Sequence, residues 1–171
     1  MVYLSVVTSL YNSENYIEEF VNRIENSLYD LNISDYEIIA VDDGSPDKSY
    51  EVACRILSEN KNFTVLKLSR NYGQPYALTA GLEYAKGEKI FLIDSDLEED
   101  PEWIKIFYNE ISSSSADCIY GLQRKRKGNF FERISGELFY KMLNLFSDIK
   151  ILPNPVTARI MSRRYLDSLL K

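Results

Sequence analysis

Histidine is absent from all 171 residues, and that gap removes Ser/His and Cys/His nucleophilic machinery together with His-based zinc sites. Chemistry here falls to carboxylates, to a metal held by oxygen, or to a substrate that arrives ionised. Cysteine is nearly as scarce. Cys54 and Cys118 stand in a helix-like and a strand-like stretch without metal-ligand spacing, so they read as buried free thiols rather than a disulfide. No run approaches the roughly 18 to 20 uninterrupted apolar residues of a membrane span, and Met1-Val2-Tyr3 lacks the charged start of a signal peptide. The expected setting is the cytoplasm or the cytoplasmic face of a membrane. There is no internal repeat, and only Ser112 to Ser115 is low in complexity.

What is present suits one domain: 45% apolar and 13% aromatic residues allow a normal core at this length. The net charge of -6 is divided unevenly. Residues 121–171 hold eleven Lys/Arg against four Asp/Glu, whereas residues 1–120 hold nine against twenty-two. An acidic first part and a basic second part imply two electrostatic tasks, one for a cation and one for an anionic group or surface, unless both are merely solvated faces.

Short apolar runs at Leu4 to Thr8, Tyr36 to Val41, Phe63 to Leu68 and Lys89 to Ile93 predict buried strands. Helix-like stretches lie between them: Glu14 to Leu31, Pro46 to Ser58 and Pro75 to Ala85. A helix from Pro101 to about Ile111, a strand near Asp117 to Tyr120 and an amphipathic helix from about Phe130 to Phe146 follow. Such alternation predicts an α/β fold with a mostly parallel sheet flanked by helices. Ligands of open sheets of this kind bind beyond the carboxyl ends of the strands. The polar residues found there are Ser9 with Tyr11, Asp42 with Asp43, Arg70 with Asn71, and Asp94 with Asp96.

Three constellations carry chemistry. Val41-Asp42-Asp43-Gly44-Ser45-Pro46 ends a strand on two carboxylates, one to brace the loop and one to accept a ligand's donors; Ser45 and Pro46 read as a helix start. Ile93-Asp94-Ser95-Asp96 places carboxylates at alternate positions, which an extended segment aims the same way. Two such carboxylates suit a divalent cation with hard oxygen ligands, Mg²⁺ or Mn²⁺. Ser69-Arg70-Asn71-Tyr72-Gly73 leaves the third strand and enters a helix whose free N–H groups favour an anion, with Arg70 placed to pair with a phosphate or brace an aspartate.

Taken as an ordered set, Leu10-Tyr11-Asn12, Val41 to Ser45, Arg70 to Gly73, and Asp94 to Leu97 with Asp100-Pro101-Glu102 resemble glycosyltransferase family two, of the GT-A nucleotide-diphospho-sugar transferase fold. Asp96 to Glu102 is similar to a segment of that family's polyprenyl-phosphate branch, which includes dolichol-phosphate mannose synthases. The resemblance implies a donor that is a UDP, GDP or dTDP sugar, with Ser9, Tyr11 and Asp43 at positions that hold its base and ribose; Arg70 joins them as a donor-binding candidate on the residue reading above. Asp94 would face the ribose or sugar, Asp96 would bind the metal, and the two would form the catalytic pair. It also implies an inverting transfer.

Tyr120-Gly121-Leu122-Gln123-Arg124-Lys125-Arg126 is similar to the branch's Y-G-x-R-x-x-R, and the basic region that holds Arg124, Arg126 and Arg133 makes these three candidates for an acceptor phosphate. The expected organisation is a nucleotide-sugar-binding core over residues 1–120 and a basic acceptor-side segment of the same domain over 121–171. Departures occur at Gln123 in place of Arg, Ser13 in place of Glu, and Thr157-Ala158-Arg159 in place of D-F-R. The branch often carries membrane helices beyond this point, so the piece reads as a truncated catalytic domain.

Two acceptors remain open: a polyprenyl phosphate, already ionised, or a saccharide hydroxyl, which needs a carboxylate base. The apolar residues Phe130, Phe131, Ile134, Leu138, Met142 and Leu145 either form an interfacial helix at the membrane surface or pack on the sheet. A non-catalytic nucleotide-sugar-binding protein is the reading from another class. A nucleic-acid partner is not expected, and the sequence sets no oligomeric state.

Overall fold

The computed structural model describes residues 2–123 and 154–171. Strand β1 (Leu4–Leu10) is buried almost throughout because both of its faces are covered. Strands β2 (Tyr36–Asp42), β3 (Phe63–Lys67) and β4 (Lys89–Leu92) join it in parallel pairs, β1 lying between β2 and β4. Parallel neighbours need crossovers, and helices α1 (Ile17–Asp30), α2 (Ser49–Glu59) and α3 (Gln74–Tyr84) supply them. Helix α4 (Trp103–Ser113), strands β5 (Cys118–Leu122) and β6 (Pro155–Ser162) and helix α5 (Arg163–Leu169) follow. The strand order is β3-β2-β1-β4-β6-β5, with β6 antiparallel to β4. This is the expected α/β architecture with a mostly parallel sheet. Winding reverses between β1 and β4, which opens a crevice at their carboxyl ends.

The chain divides into two compact units, Met1–Ile119 with Ala158–Lys171, and Tyr120–Thr157. In the first, side-chain alternation along β4 feeds two layers. Ile90 and Leu92 join Val7, Ile39, Val41, Ala77, Leu78 and Leu82 in a core beneath α3, while Phe91 turns to the other face and meets Phe107 of α4 at 5.8 Å between ring centres. Helix α3 approaches the sheet closely because Gly81 has no side chain. At the far end of α3, Arg163 donates through Nε to the Gly87 carbonyl and through Nη2 to the Ala85 carbonyl, both at 2.9 Å. Those bonds fix the turn into β4.

The structure moves several expected boundaries. Helix α1 starts at Ile17 rather than Glu14, because the Tyr16 and Ile17 amides fold back on the Ser13 carbonyl in a separate turn. Helix α2 starts at Ser49, not at Pro46: Asp47 Oδ1 accepts both the amide and the hydroxyl of Ser49 and so takes the capping task expected of Ser45. Strand β6 and helix α5 were not expected from the sequence. Both cysteines are free but half-buried rather than buried, and burial pushes the Cys118 thiol up, away from the reactive thiolate. The expected helix over 130–146 and the residues Arg124, Arg126 and Arg133 lie outside the described residues. Among the described residues no helix is long and apolar enough to cross a membrane.

A methyl group at Gly81 would lie 2.6 Å from Val7 Cγ1 and 3.0 Å from Val41 Cγ2. Overpacking of this kind costs about 1–3 kcal/mol, against a helix-propensity gain of about 1 kcal/mol. Gly81→Ala is therefore expected to lower the urea midpoint; a midpoint at or above wild type would mean that α3 can lift from the sheet at no cost.

Candidate functional site

The loop after β1 is tied down from several sides. The Asp43 amide and the Ser45 hydroxyl both donate to the Leu10 carbonyl, at 3.0 and 3.3 Å, which binds the ends of β1 and β2 together. The Ser13 amide donates to Ser49 Oγ at 2.8 Å, and Asp47 Oδ2 accepts the Glu14 amide. Burial alone would raise Asp47, but the bonds from Ser49 and the Glu14 amide outweigh it and hold this carboxyl below the usual range. Asn12 sits in the left-handed region at φ 55°. The loop thereby projects Tyr11, half of whose surface is exposed, over the crevice.

Asp42 and Asp43 both turn inward. Asp42 is fully buried; its Oδ1 accepts the Ser45 amide at 3.4 Å, while its Oδ2 has no hydrogen-bond partner among the described residues. Burial pushes its carboxyl above the ordinary aspartate range. Asp43, only 2% exposed, accepts the Tyr72 amide on Oδ1 at 2.8 Å and the Gly73 amide on Oδ2 at 2.9 Å. The Tyr72 and Gly73 amides, just ahead of α3, are thus already committed. Pro75 has no N–H and the Tyr76 amide turns back to the Gly73 carbonyl, so the anion this helix start holds is Asp43. Gly44, at φ 65°, lets the β2 loop touch the next one: a Cβ there would meet the Arg70 carbonyl carbon at 2.6 Å.

Beyond β4 the chain bends rather than staying extended, which corrects the alternating geometry expected for Asp94 and Asp96. Leu97 takes φ 61°, and the Glu98 amide closes onto Asp96 Oδ1 at 2.9 Å. Ser95, between the two aspartates, is buried; its hydroxyl lies 2.9 Å from the Ser9 carbonyl and 3.2 Å from Ser13 Oγ. The bend therefore packs its middle residue inward and leaves Asp94 half-buried and Asp96 exposed. Further along, Arg23 of α1 clamps the loop through Asp100 and Glu102. The bond to Glu102 is the main reason that this guanidinium is raised and the Glu102 carboxyl lowered.

These loops enclose a cleft of about 190 Å³ at the carboxyl ends of β1 to β4. Five of the residues expected there line it together: Ser9, Tyr11, Asp43, Asp94 and Asp96. Arg70 does not. It is exposed and stacks over the Tyr72 ring at 4.8 Å. Ser13, Asn71, Gly73, Gln74 and Ser95 complete the lining, and Gln74 Nε2 donates to Asp94 Oδ1 at 2.7 Å. Sequence reasoning missed Gln74 as a site residue, although its place at the entry to α3, on the same sheet edge, was available as a signal. Larger hollows exist, but they lie along α1 and α2, away from this edge.

An open α/β sheet with its cleft at the winding reversal defines the class: a doubly wound fold that takes its ligand at the carboxyl edge of the sheet. The chain belongs to glycosyl transferase family 2, whose family model matches residues 5–170, and its fold is the GT-A fold of that family. It is 39% identical over 168 residues to a Mycobacterium tuberculosis protein named as a glycosyltransferase, covering 98% of this chain and 49% of that protein. It is 29% identical over 168 residues to the undecaprenyl-phosphate 4-deoxy-4-formamido-L-arabinose transferase of Aeromonas hydrophila, covering 98% of this chain and 51% of that one. The chain spans about half the length of the curated relatives it matches. Among solved structures it resembles a mannosyltransferase from Pyrobaculum calidifontis in complex with GDP-Man and Mn²⁺, with a TM-score of 0.66 and 18% identity, covering 97% of this chain and 46% of that one.

Because burial raises Asp42, the folded state keeps a proton that the unfolded chain releases once pH exceeds the ordinary aspartate range. Stability from this group is therefore lost as pH rises through that window. Asp42→Asn, which keeps the shape and removes the charge, is expected to gain on wild type as pH is raised from acid to neutral. Urea midpoints of both proteins across that range test it, and a constant difference would place the pH dependence elsewhere.

Proposed function

We propose that this chain carries the catalytic site of an inverting glycosyltransferase that moves a sugar from a nucleotide-diphosphate sugar to a polyprenyl phosphate. The observation that carries the donor side is the convergence of Asp43, Asp94 and Asp96 with Ser9 and Tyr11 in one cleft at the winding reversal. Asp43 is positioned for the base and ribose. Each of its oxygens already accepts one amide and retains capacity for a ligand's donor. Asp94 faces the ribose or sugar.

Three carboxylates and no Lys or Arg line the cleft among the described residues, so a bare diphosphate would be repelled there. The donor set fits a hard divalent cation: carboxylate oxygens from Asp96 and Asp94, with diphosphate oxygens and waters completing the shell. Among the described residues no larger cluster of His, Cys, Asp or Glu competes for that task. When bound, Mg²⁺ or Mn²⁺ would neutralise charge on the leaving diphosphate. Asp94 and Asp96 hold the donor's diphosphate end in register with the acceptor, and the buried Ser95 anchors the bend that presents them.

A phosphate acceptor is ionised near neutral pH and needs no base, which agrees with a chain without histidine. The named activity of the Aeromonas relative supports that acceptor class. The excess of Lys/Arg over residues 121–171 supports it as well, with Arg124, Arg126 and Arg133 as the phosphate-side candidates and the cytoplasmic membrane surface as the meeting place. In this reading residues 1–120 serve the donor and 121–171 the acceptor.

Asp96→Asn is expected to abolish the Mn²⁺-dependent part of UDP or GDP binding while leaving thermal unfolding unchanged, since an exposed loop charge is lost rather than a core contact. Undiminished metal-dependent affinity would sink the donor assignment. Replacing Arg124, Lys125, Arg126 and Lys127 by Gln is expected to weaken binding to anionic vesicles, each charge contributing about 1 kcal/mol at low salt. It should spare nucleotide binding. Full transfer to lipid phosphate by that variant, or wild-type transfer to soluble hydroxyl acceptors alone, would favour the saccharide hydroxyl as acceptor.

A further inference from the structure

Gln74 opens α3, and its backbone is held on both sides. The two amides before it, those of Tyr72 and Gly73, are bound by the Asp43 carboxylate at the end of β2. Gly73 takes φ 99°, a conformation that a residue with a side chain adopts only under strain, and Pro75 restricts the following step. From this fixed point the Gln74 side chain reaches the loop after β4 and donates to Asp94 Oδ1 at 2.7 Å. Strand β1 lies between β2 and β4 in the sheet. The path from Asp43 through Gly73 and Gln74 to Asp94 therefore straps the two sides of the cleft across the end of β1.

We infer that Gln74 is a positioning residue, which orients the Asp94 carboxylate and thereby sets how strongly the cleft takes a divalent cation together with a nucleoside diphosphate. The inference rests on the donor-site reading above. An amide suits the task because it is neutral: it aims the carboxylate without cancelling the charge a cation needs, as a Lys or Arg at the same place would. Partners that orient a ligating side chain in this manner are energetically significant in metal sites. Gln74 is itself exposed and contributes no core packing, so its removal should leave the fold intact.

The test uses the 171-residue chain with UDP and GDP as probes, titrated calorimetrically across a series of Mn²⁺ concentrations. Gln74→Met preserves length and neutrality but cannot donate; Gln74→Ala removes the reach altogether. For both, nucleotide affinity without Mn²⁺ should stay within about twofold of wild type. The Mn²⁺ concentration giving half of the affinity gain should rise by about tenfold or more. In an Asp94→Asn background, Gln74→Met should change the Mn²⁺ response by less than about twofold, because the group through which it acts has already been altered. Equal loss with and without Mn²⁺ would make Gln74 a direct nucleotide contact, and full additivity with Asp94→Asn would separate the two residues; either overturns the proposal. If Asp94→Asn alone leaves the Mn²⁺ response at wild-type strength, or if the wild type binds neither probe, the donor-site reading falls and this inference falls with it. A strong effect of Asp94→Asn with none of Gln74→Met overturns the positioning role alone.

Discussion

Carboxylates crowd the C-terminal edge of this sheet, and the surrounding loops take their form from the way each is partnered. Six aspartates stand at the end of β2 and in the segments that follow β2 and β4, and an unpartnered charge at such density would destabilise the loops that carry it. Each has a different solution. Asp43 accepts backbone amides from the loop after β3, and Asp47 accepts the start of α2. Gln74 reaches Asp94, the Glu98 amide closes on Asp96, and Arg23 holds Asp100. Asp42 is the exception: burial with one oxygen unpartnered shifts it toward the neutral form instead.

These partnerships also carry the geometry of the cleft. A backbone amide given to Asp43 cannot be given to a ligand, so the entry to α3 acts as a brace rather than as a phosphate cradle. The brace fixes Gln74, and Gln74 reaches the β4 loop. At the far end of that loop Arg23 ties Asp100 and Glu102 to α1, and in the middle Ser95 is buried against Ser9 and Ser13. The Asp94 to Asp96 segment is thus held at its start, centre and end while the two aspartates line the opening. Rigid support of this kind is what a binding site needs if its charges are to remain in place before a ligand arrives.

The sequence made the sheet and half of the lining legible for a simple reason: Ser9, Tyr11, Asp43, Asp94 and Asp96 each follow an apolar run, and a parallel sheet brings the ends of its strands to one edge. Tertiary approach, which no local pattern encodes, decided the rest. Ser13 and Ser95 are ordinary loop serines until β1 and β4 lie side by side and bring their hydroxyls within 3.2 Å. Arg70 has the residue type expected of a phosphate ligand, yet Gly44 packs against its backbone and its side chain lies over Tyr72. The start of α2 moved because Asp47 competes with Ser45 for the cap. Strand β6 escaped notice because Val156, Ala158 and Ile160 alternate with Thr157 and Arg159, a pattern too short to stand out before its antiparallel partner β4 is known.

The charge left in the cleft narrows what can bind there. Among the described residues, Asp100 is paired with the guanidinium of Arg23, and it lies outside the lining. The partners named above for Asp43, Asp94 and Asp96 are neutral donors, which orient these groups without offsetting their charge. A neutral sugar or base could enter such a site unaided. Bare diphosphate oxygens beside these carboxylates would meet like charge, and at a few ångströms like charges repel even at the effective dielectric of a protein surface. The same arrangement that keeps Arg70 and the Tyr72 and Gly73 amides from the cleft leaves a diphosphate there to gain from a cation between it and the aspartates, which is the coupling of metal and nucleotide proposed above.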